Sequence, residues 1–134
     1  MYTHETELRV RYEETDQMGV VYYSNYLVWF EVGRAEYIRS LGTSYKEFER
    51  HGVHIVVAEA YCKYEFPARY DDIVIIRTNL SEIGSRSMKY TYTVLRKADR
   101  KLIASGHTTH VFVGKNGKSM KIPKWVLGYI KKKN

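Results

Sequence analysis

Residues 11–41, RYEETDQMGVVYYSNYLVWFEVGRAEYIRSL, place a short acidic loop directly ahead of a long apolar segment. The loop carries Glu13, Glu14 and Asp16 and turns at Gly19. Val20, Val21, Tyr22 and Tyr23 lead from it to Ser24 and Asn25, either of which suits the N-cap of a helix from about Tyr26. From about Ser24 to Leu41 that helix is apolar nearly all round, with Gly33 and Ala35 allowing a neighbouring backbone to come close, so it is expected inside the fold. Gly42 suits its C-terminal end. Asp16 thus approaches the free N–H groups of a helix start, where a carboxylate either caps the helix or does chemistry.

The rest of the chain reads as strands. His4 to Tyr12 alternates, with Leu8, Val10 and Tyr12 on one face. Tyr45 to Arg50 suits a short second helix. Four strands follow: Val53 to Phe66, with Val56, Ala58, Ala60, Cys62, Tyr64 and Phe66 on one face; Asp72 to Ile83; Ser87 to Lys97; and Leu102 to Val113, after a turn at Ala98-Asp99-Arg100. A basic stretch and a short helix from about Pro123 close the chain. One long helix and a meander of antiparallel strands predict an α+β architecture, and 134 residues suffice for one domain spanning 1–134.

The stretch Tyr12, Asp16, Gly19, Val20, Val21, Tyr22, Tyr23, Asn25, Tyr26 strongly resembles the signature of the hotdog-fold acyl-CoA thioesterases of the 4-hydroxybenzoyl-CoA thioesterase and YbgC-like group. The turn Pro67-Ala68-Arg69-Tyr70-Asp71-Asp72, the length and the element order agree with it. The resemblance implies a hotdog, an antiparallel sheet wrapped around the long helix. It implies an acyl-CoA thioesterase in which Asp16 is nucleophile or general base and the backbone N–H of Tyr23 polarises the thioester carbonyl. Gly19, Tyr22, Asn25 and Tyr26 would line the substrate site. YbgC-like sequences often carry His where this chain has Tyr23, which leaves only the backbone role there. The resemblance further implies a homodimer or homotetramer with active sites at the dimer interface, and no cofactor beyond the coenzyme A of the substrate.

Composition bounds the alternatives. Lys and Arg outnumber Asp and Glu by 22 to 15, giving a formal charge of +7, which calls for an anionic partner without naming it. Lys115, Lys118 and Lys121, with Lys124, Arg86 and Lys89 near them, are candidates for the coenzyme A phosphates; solvated surface is the bland reading. An acyl-carrier-protein substrate suits the same charge. So does a non-catalytic nucleic-acid-binding role, since 13 tyrosines offer stacking surfaces, but the charge is scattered and no nucleic acid is expected. Glu13 and Glu14 read as a solvated acidic pair. Glu31 is expected to pair with Arg34 or to support the site indirectly. His107 and His110 fall on opposite faces of a strand, and His51 and His54 lack a third ligand, so no metal is expected. Cys62, the one cysteine, reads as a reduced core thiol. The lysines at 131–133 read as a frayed tail, and Trp125, Val126, Leu127 and Ile130 as packing across a subunit interface. A polar start and no long apolar run predict a cytoplasmic protein without a transmembrane segment.

Overall fold

The computed structural model describes residues 1–134. Its elements follow in the order β1 (Thr3–Arg9), a 3-10 turn (Tyr12–Glu14), α1 (Asn25–Ser40), α2 (Tyr45–Arg50), β2 (His54–Tyr64), β3 (Ile73–Ile83), β4 (Ser87–Arg96), β5 (Leu102–Val113) and α3 (Lys124–Lys131). The five strands form one antiparallel sheet in the order β1-β3-β4-β5-β2. Strict alternation along β4 turns Met88, Tyr90, Tyr92 and Val94 inward, and the inner face of this sheet wraps α1. Phe30 stacks on Tyr92 with ring centroids 4.3 Å apart, and Tyr37 meets Tyr90 edge-on at 5.7 Å. Each such pair adds about 0.5–1.5 kcal/mol beyond the area it buries. Gly33 is the point of closest approach: a Cβ there would lie 2.6 Å from Thr78 Oγ1 and 2.7 Å from Ile76 Cγ2 on β3. This is the α+β hotdog that the resemblance implies.

Several details depart from the sequence reading, each for a physical reason. Strand β1 ends at Arg9, and Tyr12 leaves the expected face to lie exposed, edge-on to Tyr70 at 5.6 Å. Strand β2 does not keep one apolar face. A bulge between Val57 and Glu59 inserts a residue, so Ile55 before it and Cys62 after it both pack against the core although their positions have opposite parity. Val56, Val57, Tyr61 and Tyr64 are left exposed on this edge strand. Helix α1 is buried through Tyr26, Trp29, Phe30, Gly33, Tyr37 and Ile38, but Leu27 and Val28 are bare. Helix α3 packs back on the same chain through Val126 and Ile130, which lie in the core, while Trp125 touches Phe48 at 5.6 Å and stays exposed. The lysine tail is tied down as well: Lys133 Nζ donates to Ser40 O at 3.1 Å and lies over the Tyr2 ring. No helix is long and apolar enough to cross a membrane.

Candidate active site

The acidic loop is a β-turn closed by Gly19 N–H donating to Asp16 O at 2.9 Å, and Gly19 takes a positive φ of 79° that suits glycine. Asp16 Oδ1 accepts from Met18 N–H at 2.8 Å and more weakly from Val20 N–H at 3.5 Å. One carboxylate oxygen therefore shapes the turn, and the other makes no hydrogen bond within the protein. Short bridges from Thr15 to Val21 and from Val20 to Arg69 pin the loop to the Pro67 turn. The resemblance was carried partly by that turn, and the structure gives it a job.

Neither Ser24 nor Asn25 caps α1 with its side chain. Ser24 is already helical, with φ −70° and ψ −19°, and makes no capping bond. Asn25 turns back instead, and its Nδ2 donates to Glu14 O at 2.9 Å. Tyr22 N–H donates to the same carbonyl at 2.8 Å. The next N–H, that of Tyr23, donates to no backbone carbonyl. It stands open at the positive end of α1. The Tyr23 carbonyl accepts from the Tyr64 hydroxyl at 3.1 Å. Burial, with Cys62 beside it, pushes that hydroxyl up to about 12, so it stays protonated and keeps donating.

These parts surround one cavity of about 350 Å³, lined by Asp16, Tyr22, Tyr23, Tyr26, Tyr64 and Phe66, among others. Of the residues picked from sequence, Asp16, Tyr22, Tyr23 and Tyr26 come together there. Tyr26 is nearly buried and accepts Ala68 N–H at 3.3 Å, so its ring is a fixed wall. Gly19 and Asn25 shape the backbone around the cavity without lining it. Lys115, Lys118 and Lys121 lie elsewhere in the chain. Val113, next to their segment, pairs with His54 at the start of β2, and Lys115 runs over Gly52, whereas the Asp16 loop sits by Tyr64 at the other end of β2.

Glu14 is where the sequence reading failed. Glu13 is solvated and paired with Arg11 at 2.9 Å, but Glu14 is buried, with its side chain 5% exposed. Its Oε1 accepts Arg11 N–H at 2.8 Å and its Oε2 accepts the Trp29 indole N–H at 2.9 Å. The same residue therefore anchors the loop to α1 through its carboxylate and sets the Tyr22 to Asn25 backbone through its carbonyl. The available signal was Trp29: an indole on a buried helix face needs an acceptor, and the nearest acidic segment had to supply it.

The other titratable candidates resolve simply. Glu31 makes no ion pair with Arg34, and Glu36 pairs with Arg39 at 2.5 Å. His107 lies on the outer face against Glu59 at 3.3 Å, and His110 is buried inside. Burial holds the thiol of Cys62 above its ordinary range. No three His, Cys, Asp or Glu side chains are grouped to hold a metal ion.

Known proteins share this fold. The family model of the thioesterase-like superfamily matches residues 10–130. The acyl-CoA thioesterase YbgC of Haemophilus influenzae is 34% identical over 66% of this chain and 66% of its own. A DHNA-CoA thioesterase from Staphylococcus aureus is 31% identical with a TM-score of 0.91, covering 98% of this chain and 91% of that one. A hypothetical protein from Aquifex aeolicus is 36% identical with a TM-score of 0.90, covering 96% and 99%. With the family model spanning nearly the whole sequence and the fold reproduced in these relatives, the chain belongs to the thioesterase-like superfamily, as a hotdog-fold enzyme related to the YbgC and 4-hydroxybenzoyl-CoA thioesterases.

Proposed function

We propose that this protein hydrolyses the thioester of an acyl-CoA to the free acid and coenzyme A at the Asp16 loop. One observation carries the reading: a carboxylate with one oxygen uncommitted shares a cavity with the unpaired Tyr23 N–H at the start of α1. Thioester hydrolysis needs an attacking group and a donor where the carbonyl oxygen becomes negative. Asp16 supplies the first, by attacking the carbonyl carbon or by taking a proton from an attacking water. Tyr23 N–H supplies the second, reinforced by the helix dipole. As the carbon–sulfur bond breaks, coenzyme A leaves as a thiolate that takes a proton from solvent; where Asp16 itself attacks, the mixed anhydride left behind is cleaved by water to the free acid and the restored carboxylate. The names of the Haemophilus and Staphylococcus relatives support the acyl-CoA substrate.

The active unit in this reading is a homodimer joined through β2. That edge strand offers unpaired backbone along eleven residues with Val56, Val57, Tyr61 and Tyr64 exposed beside it, and α1 leaves Leu27 and Val28 bare. A two-fold axis through β2 carries Lys115, Lys118 and Lys121 of one subunit toward the partner's catalytic loop, where they would meet coenzyme A phosphates. Release of free thiol from short-chain, long-chain and aromatic acyl-CoAs tests the assignment. Asp16→Asn is expected to lower kcat roughly 10²–10⁴-fold, the range of a lost acid–base group. Unchanged turnover in Asp16→Asn removes Asp16 from the mechanism.

A further inference from the structure

Helix α1 begins without a cap, and its first turn is drawn tight. Asn25 N–H donates to Tyr22 O at 3.0 Å, Tyr26 N–H to Tyr23 O at 3.4 Å and Leu27 N–H to Ser24 O at 3.2 Å, so each bond spans three residues instead of four. Ser24, at ψ −19°, has the backbone of a 3-10 turn. Such bonds are poorer than those of an α-helix, and the Tyr23 carbonyl accepts the longest of the three. The Tyr23 N–H belongs to the peptide immediately before the one that carries this carbonyl. The two peptides hinge on one Cα, so a turn that frays swings the open N–H off its direction.

Two groups from outside the helix take the place of the missing cap. On the near side, Glu14 O accepts the Tyr22 N–H and the Asn25 amide. On the far side, the Tyr64 hydroxyl donates to Tyr23 O at 3.1 Å and adds to the weak bond from Tyr26. Tyr64 ends β2, opposite Ala104 of β5, so the sheet and not α1 holds its backbone.

The Tyr64 ring stands edge-on to Tyr26 at 5.2 Å and to Tyr23 at 6.4 Å. Tyr26 is fixed in turn by the Ala68 N–H and by Trp29 at 4.9 Å, and Trp29 by the Glu14 carboxylate. These contacts close a circuit that leaves the acidic loop at Glu14 and returns to the helix start at Tyr23. Burial keeps the Tyr64 hydroxyl protonated up to about 12, so this donor does not switch off near neutral pH.

We infer that Tyr64 is a positioning residue: from the end of β2 its hydroxyl holds the Tyr23–Ser24 peptide and keeps the Tyr23 N–H directed into the Asp16 cavity. The inference rests on the thioesterase reading. The Tyr23 donor matters most when the carbonyl oxygen becomes negative, so losing its alignment lowers kcat and leaves KM in place. A residue that only lined the substrate would move KM instead, and a proton donor would move the pH profile.

Tyr64→Phe keeps the ring and removes the hydroxyl. On the fastest substrate among short-chain, long-chain and aromatic acyl-CoAs, kcat is expected to fall about three- to ten-fold, one hydrogen bond expressed as a rate. KM should stay within about two-fold, and the pH profile should keep its shape. Unchanged kcat, or a change carried by KM or by the pH profile, overturns the role. Hydrogen exchange needs no substrate: the Tyr26 and Leu27 amides should exchange about three- to ten-fold faster in the variant, while those of β4 stay protected and report the fold. Unchanged exchange at Tyr26 and Leu27 overturns the clamp. Faster exchange in a protein that hydrolyses no acyl-CoA upholds the clamp and overturns the thioesterase reading. In Asp16→Asn, the infrared carbonyl stretch of the bound thioester should lie below its frequency in solution, and the shift should shrink once Tyr64→Phe is added. An equal shift overturns the alignment.

Discussion

The joint between Glu14 and Trp29 should be both a stability element and a control on turnover, and a double-mutant cycle can measure it. The Glu14 carboxylate is nearly buried and makes two charge-assisted bonds, to Arg11 N–H at 2.8 Å and to Trp29 Nε1–H at 2.9 Å. Glu14→Ala removes both acceptors. Trp29→Phe removes the indole N–H. Each single change forfeits the same buried bond, so the coupling energy between them should be about 1.5–3 kcal/mol, the worth of a hydrogen bond to a charged group. Urea unfolding of the two single variants and the double variant gives that number. Because the Glu14 carbonyl also holds Tyr22 N–H and the Asn25 amide, a loosened loop should misplace the Tyr23 N–H and lower kcat more than it raises KM. A coupling below about 0.5 kcal/mol, within the additivity error of independent sites, refutes the joint. A full loss of stability with unchanged kcat would refute its part in positioning the donor.

Other outcomes follow from the same structure. His110 binds its proton at about 4 in the fold against 6.5 when unfolded. Between those values the unfolded chain holds more protons, so stability should fall as pH drops from about 6.5 to 4, by on the order of 3 kcal/mol, and His110→Phe should flatten that slope in urea titrations. Gly33→Ala places a methyl within 2.7 Å of Ile76 and against Thr78 on the sheet, and should cost about 1–3 kcal/mol, the usual cost of overpacking; a neutral result in thermal melts would show that α1 can lift from β3. Val57→Lys with Tyr61→Glu on the edge strand should leave monomers in sedimentation experiments and abolish turnover, while a monomer with full activity would rule out a site shared between subunits. Tyr64→Phe removes the donor to the Tyr23 carbonyl and should cost about 0.5–1.5 kcal/mol, the net worth of one hydrogen bond.

The sequence by itself determined the fold and the catalytic candidate. Local patterns suffice for the α+β elements: α1 is continuous and apolar because nothing between Asn25 and Ser40 breaks it, β4 alternates along its length and β5 from Ala104 on; the hotdog and the choice of Asp16 came from the resemblance of residues 12–26 to the thioesterase signature. What depended on distant neighbours could not be read along the chain. Glu14 looked solvated because its partner, Trp29, is fifteen residues away on the far side of the turn. The face of β2 was misjudged because a bulge is a property of the pairing with β5 and leaves no period in the strand itself. The tail is held by Ser40, Tyr2 and Tyr37, groups far away in sequence. A cavity with Arg34 and His110 depends on α1, α2, β2 and β5 meeting. Hydrophobic periodicity is encoded by spacing, so it survives in one dimension. The pairing of a buried polar group is settled by whichever partner the fold brings within 3 Å, and that is decided only in three.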